Sequence, residues 1–222
     1  MKTRKIIFYC LMVLPLAVVL IALQFLPDQI PAHYDLNNQV TRWGSKYETL
    51  IFPALIMIFG FFMLGMAKLS AKQEEHGKNN ENVCIVAGIM VLILFNAMTG
   101  YFLYTDFNKV ENLSTVMFDI NQLVFGILGI SMIIIGNIMP KVRMNSVMGL
   151  RTSWSMKNEM TWKKSQRFGG ISFIVGGIVI VMICIFSKGI SCLLWTMGIF
   201  AVVLAFDVCY TYKISKRYYI HI

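Results

Sequence analysis

Residues 136–170 read GNIMPKVRMNSVMGLRTSWSMKNEMTWKKSQRFGG, and this polar, basic, tryptophan-bearing stretch decides the fold because of what flanks it. Strongly apolar runs lie on both sides, at about 116–139 and 169–187. A helix rising about 1.5 Å per residue needs about 20 apolar residues to cross a hydrocarbon core of roughly 30 Å, and both runs have that reach. Working outward, four more runs appear, at about 6–26, 50–69, 83–105 and 190–212. The chain of 222 residues is 57% hydrophobic and 14% charged, whereas soluble domains average about 25% charged. These features predict an all-α integral membrane protein of six transmembrane helices, with no connection long enough for a soluble domain of ordinary size.

The same stretch orients the chain. Seven cations lie between Lys141 and Arg167. With the N-terminus inside, they share the cytoplasmic side with Lys2, Arg4, Lys5, Lys68, Lys72, Lys78, Lys213, Lys216 and Arg217, leaving Arg42, Lys46, Lys109 and Lys188 outside. That asymmetry is what the positive-inside rule expects of an N-in, C-in protein. A net charge of +9 would suggest nucleic acid in a soluble chain, but here it reports topology and attraction to anionic membrane lipids, with no direct nucleic-acid partner. The apolar run after MKTRK exceeds a usual signal-peptide core and no A-x-A site follows it, so it reads as a retained first helix.

The connections differ in character. LPDQIPAHYDLNNQVTRWGSKYETL, centred on the extracellular loop 27–49, carries two prolines and a turn-forming DLNN, and reads as an ordered loop. AKQEEHGKNNEN (71–82) reads as a solvated connection, and TDFNKVENLST (105–115) as a second outer loop. SKG (187–189) is a tight helical hairpin. Within the cytoplasmic basic loop 140–168, Pro140 ends helix four. Thr152, Ser153 or Ser155 then offers an N-cap for a short interfacial helix over about 156–168, with Glu159 and Lys163 paired at i,i+4.

Enzyme chemistry is hard to assemble from these residues. His33, His76 and His221 fall in an outer loop, an inner loop and the C-terminal tail, too scattered for one metal or catalytic site. DLNNQV resembles the start of a calcium loop, but Val40 stands in place of the required Gly and Lys46 in place of the bidentate Glu. There is no Gly-rich phosphate loop, so the reading assigns no enzyme activity, no metal and no cofactor. Among intramembrane polar residues Asp207 is the strongest candidate, either for function or for pairing with a cation at the inner interface. Asn96, Asn121, Gln122 and Asn137 suit interhelical hydrogen bonds, and Asp119 suits the outer interface. The cysteines suit core packing, although Cys184 and Cys192 flank the SKG turn closely enough to approach one another.

Each half of the chain, 1–115 and 116–222, has three helices, and in each a proline-started loop leads to an Arg and a Trp: Arg42 and Trp43 in the first, Arg151 and Trp154 in the second. Three helices per half would place the halves in opposite orientations, as in a 3+3 inverted repeat. Chance similarity of two proline-started loops is the alternative.

The residues of the second loop resemble the signature of the SdpI family, bacterial membrane proteins: Gly136, Asn137, Pro140, Lys141, Asn145, Gly149, Arg151, Thr152, Trp154, Glu159, Trp162 and Arg167 stand where its pattern places them. LPDQIPAHYDLNNQVTRWGSK resembles the domain of unknown function that commonly precedes it. Three departures are visible: Ser153 where Pro is usual, Gln166 where His is frequent, and Asn38 near a frequent Gly. Asn38 can supply the left-handed conformation that a Gly would.

The resemblance implies a membrane immunity protein that protects the cell from a secreted toxin peptide, and also a signalling receptor that holds a cytoplasmic transcriptional repressor at the membrane. On this reading Arg151, Trp154 and Trp162 are anchors for the repressor, since Trp and Arg are frequent hot-spot residues. Pro31, His33, Asn38, Arg42, Trp43 and Gly44 form the toxin-facing loop. Two rival readings stay open, a small transporter or exporter built around Asp207, and a structural protein whose inner loop binds lipid headgroups.

Overall fold

A computed structural model describes residues 2–72, 77–145 and 148–219; His76 and His221 lie outside the described residues. Six helices carry the chain: α1 (Lys2–Ala22), α2 (Ile51–Lys72), α3 (Gly77–Phe107), α4 (Ile120–Ile138), α5 (Glu159–Phe186) and α6 (Gly189–Tyr219). All six are long and apolar enough to cross a membrane. Side chains such as Ile21, Ile58, Ile171, Leu194 and Phe206 are more than half exposed. An apolar surface of that extent fits a lipid environment, where burial is not what drives helices together.

What does drive them together is visible between α4 and α5. A Cβ on Gly136 would stand 2.6 Å from the carbonyl oxygen of Gly170, and one on Gly129 would stand 2.9 Å from that of Gly177. Two glycine pairs, each spaced seven residues along its helix, thus let the backbones touch. Phe8, Met12, Ile56, Cys84, Ile85 and Leu92 form a core shared by α1, α2 and α3. Met132, Ile180, Cys184 and Cys192 form one shared by α4, α5 and α6.

The loop 27–49 is more regular than its prolines suggest. It holds an antiparallel pair, β1 (Gln29–Tyr34) and β2 (Val40–Ser45), with Gln29 opposite Ser45 and Tyr34 opposite Val40. At the turn, Asp35 accepts hydrogen bonds from the Asn37 and Gln39 N–H groups, and Asn38 is left-handed with φ 65°. The hairpin docks on the α3–α4 connection through Val40 N–H to Glu111 and Leu113 N–H to Asn38. A short 3-10 helix, Lys46–Leu50, leads into α2 behind a Ser45–Glu48 capping box.

Two expectations need correction. No separate interfacial helix precedes α5: residues 159–168 are its opening turns, and the N-cap is Asn158, whose side chain accepts from Thr161 N–H. Thr161, Trp162, Ser165, Gln166 and Gly169 are all buried on one face, so this segment packs on its own loop instead of lying on lipid. Thr152 and Ser155 are not caps, because they bond one another within the loop. The second correction concerns 105–115, where Thr105, Asp106 and Phe107 belong to the last turn of α3 and Thr105 and Asp106 are buried.

The two motif loops lie at opposite ends of the bundle. The hairpin end also gathers the α5–α6 turn, since Asp119 at the start of α4 accepts from Gly189 N–H. At the other, basic end, Lys5 of α1 pairs with Glu81 of α3 at 2.6 Å and the α4–α5 loop reaches α6.

Candidate functional site

At the hairpin end the strands present some side chains and use others as framework. His33, Arg42 and Trp43 are exposed, with Trp43 at 40%. The His33 ring nitrogen Nδ1 shares a 2.6 Å hydrogen bond with the Thr41 hydroxyl. Arg42 donates two hydrogen bonds to Glu48, at 3.1 and 2.8 Å, a forked geometry only a guanidinium offers. That carboxylate raises the Arg42 pKa above its ordinary value. The geometry holds Arg42 flat on the hairpin.

Pro31 is buried, and Gly44 leaves room for Glu48, because a Cβ there would fall 2.3 Å from the Glu48 carboxylate oxygen. At the hairpin base Lys46 pairs with Asp28 at 2.9 Å and, by hydrogen bond and charge, holds the Asp28 carboxyl below its ordinary pKa. Tyr34 donates to Val110 carbonyl at 2.8 Å. Burial first, and the nearby Asp106 charge after it, push its hydroxyl pKa up.

The basic end is built differently. Among the described residues between Met139 and Asn158 there is only one short 3-10 turn, Met139–Lys141, so the polar backbone groups there need side-chain partners. Trp162 is 1% exposed and its indole N–H donates to Val142 carbonyl at 2.9 Å. Asn145 donates to the Arg143 and Met148 carbonyls and accepts from Met148 N–H at 2.7 Å. Gln166 accepts from Leu150 N–H and donates to Leu150 carbonyl, both at 3.0 Å. Gly149, with φ 105°, lies so close to Gln166 that a Cβ would meet its oxygen at 2.7 Å. Thr152 reaches Thr211 of α6 at 3.1 Å, and Trp154 meets Tyr212 edge to face with ring centroids 5.3 Å apart.

The motif residues therefore divide into two groups. Asn145 and Trp162 are buried framework, and Gly149 and Thr152 shape the chain around it. Asn137, Pro140, Lys141, Arg151, Glu159 and Arg167 are exposed and Trp154 is half-buried. A partner anchor at Trp162 does not fit a side chain with 1% exposure; its polar edge is used inside the loop. Gln166, noticed in the sequence only as a departure from the family pattern, is a main support of that loop.

Of the intramembrane polar residues, Asn96, Gln122, Asp119 and Asp207 find partners. The expected interhelical hydrogen bonds of Asn121 and Asn137 do not form among the described residues, and Asn137 is exposed. Asn96 donates to Leu11 carbonyl of α1 at 2.8 Å, and Gln122 to Cys184 carbonyl of α5 at 2.8 Å. Asp119 is buried, not merely interfacial: it caps α4 through Gln122 N–H at 2.9 Å while also taking Gly189 N–H. Asp207, fully buried, accepts from the Ser172 hydroxyl at 2.6 Å, and its other oxygen has no partner. It faces α5, so it forms no ion pair with Lys213 or another cation among the described residues. Cys184 and Cys192 are free thiols with sulfurs 3.6 Å apart.

Six apolar helices, a hairpin over one end and a side-chain-locked basic loop at the other define a multi-pass membrane protein. Residues 141–211 match the model of the SdpI/YfhL protein family, and residues 10–57 match the model of a domain of unknown function, DUF1648. Over 187 residues, 83% of each chain, the sequence is 26% identical to Immunity protein SdpI of Bacillus subtilis (strain 168). Over residues 141–211 the chain is thus similar to the SdpI/YfhL family. No solved structure matches it.

Proposed function

We propose that the protein is a membrane immunity protein that protects its cell from a secreted toxin peptide, with its N- and C-termini in the cytoplasm and the hairpin outside. The observation that carries this reading is the similarity to Immunity protein SdpI across 83% of both chains. The hairpin is the toxin-facing surface: His33, Arg42 and Trp43 make contact, while Pro31, Asn38 and Gly44 hold the strands that display them. The role is one of binding, and no reaction is assigned.

The same reading gives the basic end to a cytoplasmic repressor, met by Arg151, Trp154, Lys141, Glu159 and Arg167, with anionic membrane lipids around them. The halves 1–115 and 116–222 act as an outward-facing and an inward-facing unit of a 3+3 inverted repeat. A transport reading is favoured by one feature, the unpartnered oxygen of Asp207 among apolar helices; Asp207→Asn abolishing protection with surface abundance unchanged would favour it.

The test is survival of toxin-sensitive bacteria under an SdpI-type toxin peptide. Cells expressing the intact chain are expected to survive, and those expressing Arg42→Ala or Trp43→Ala at equal membrane abundance to lose protection. Arg151→Ala is expected to keep protection and release the repressor from the membrane fraction. No protection by the intact chain would count against the immunity reading.

A further inference from the structure

Beneath the hairpin lies a cavity of about 190 Å³, lined by Pro31, Tyr34, Thr49, Phe52, Phe102 and Asp106 among others. One water needs only about 10–15 Å³ of such space, so there is room for a functional group with an alkyl stem. Three aromatic rings and a proline make the walls. The charged groups in the lining are Glu48, whose carboxylate is held by Arg42, and Asp106, which is 4% exposed and sits in the last turn of α3.

Among the described residues no hydrogen bond and no ion pair reaches the Asp106 carboxylate. The polar neighbours are engaged elsewhere: Tyr34 donates to Val110 carbonyl, Thr105 to Phe102 carbonyl, Thr99 to Phe95 carbonyl and Thr49 to Lys46 carbonyl. The hairpin cations Lys46 and Arg42 are held by Asp28 and Glu48. A buried carboxylate with every local donor committed is costly unless it takes up a proton or a cation or donor comes from outside. A cation is the ligand that would hold it ionised. Aromatic faces beside it favour the same sign of ligand, because their quadrupoles attract cations.

We propose that this cavity binds a primary alkylammonium group, with Asp106 as its counter-ion and Tyr34, Phe52 and Phe102 against its methylenes, and that a cationic peptide supplies the group as a lysine side chain. Choosing a peptide as the source rests on the immunity reading above; the ammonium chemistry does not.

The test is calorimetric titration of the full chain in lipid nanodiscs, with empty nanodiscs subtracted, using n-hexylammonium chloride, n-hexanol, the peptide acetyl-Ala-Lys-Ala-amide and its Nε-acetylated form. Saturable binding of hexylammonium and of the lysyl peptide is expected, with at least tenfold weaker binding of hexanol and of the acetylated peptide. Asp106→Asn keeps the shape and is expected to lose at least tenfold in affinity for both amines. Thr99→Leu, which fills the cavity and keeps the carboxylate, is expected to do the same, so one poorly folding variant does not decide the result. Hexylammonium binding without the peptide would keep the ammonium site and overturn the peptide source. Equal affinity for hexanol, or for Asp106→Asn, would overturn the site itself. The assay uses purified protein and no toxin, so its failure is distinct from failure of the survival experiment.

Discussion

The two loops that carry an Arg and a Trp reach order by opposite routes. The hairpin satisfies most of its backbone with a strand ladder, so Arg42 and Trp43 are not spent on backbone groups and stand on the surface, Arg42 paired with Glu48. The basic loop has almost no backbone ladder, and so consumes side chains: Asn145, Ser155, Trp162 and Gln166 are buried bonding carbonyls and N–H groups of the loop. Similar residue types in the two loops therefore do different work. A tryptophan displays an aromatic face in one and plugs a loop in the other.

The comparison is broken most directly at Trp162. Trp162→Ala is expected to cost about 3–5 kcal/mol and to expose the 142–158 segment to protease while hairpin accessibility stays unchanged; loss of order at both ends would show that the loops are not independent. Next comes Gln166→Leu, which leaves Leu150 N–H without a partner at about 1–3 kcal/mol and removes one of the two donors to Leu150 carbonyl, the Ser155 hydroxyl remaining. Gln166→His, which keeps one donor and one acceptor, should lose less in the same denaturation series.

In the hairpin the largest single-residue effect should lie in the turn. Asn38→Ala removes the short polar side chain that suits φ 65° and its hydrogen bond to the Ser114 hydroxyl and should cost about 0.5–1.5 kcal/mol, whereas Asn38→Gly, free of the Cβ penalty, should cost less by thermal unfolding. The smallest effect is electrostatic. The Asp28 pKa is lowered in the folded state, so the Lys46 pair supports the fold above the ordinary value of 3.8 and the support is lost as pH falls through the lowered one. Wild type and Asp28→Asn should differ slightly in melting midpoint at neutral pH and converge in acid.

Six helices were legible because hydrocarbon thickness imposes long apolar runs, and the likeness to the family because its motif residues stand together between Gly136 and Arg167. The hairpin was not, because Pro31 reads as a breaker; in the structure it is opposite Trp43 within β1. The face of α5 that buries Trp162 also escaped notice, for a different reason. Its inward residues Thr161, Ser165 and Gln166 are polar and its outward Met160 is apolar, which inverts the amphipathic pattern that sequence reading uses. The glycine spacing at 129, 136, 170 and 177 was in plain view as a signal for close helix packing. Asp106 was hidden by its neighbours, since TDFNKVENLST has the composition of a solvated loop, and only the length of α3 carries the carboxylate under the hairpin.

Asp119 has a consequence for biosynthesis. One carboxylate oxygen caps its own helix within three residues, while the other receives the N–H of Gly189, seventy residues later in the chain. During translation the first bond can form as soon as α4 is made, but the second must wait until the last helical hairpin has been synthesised and inserted. The residue thus joins an early event to a late one, and the newborn protein has this end of its bundle latched only when its final helix arrives.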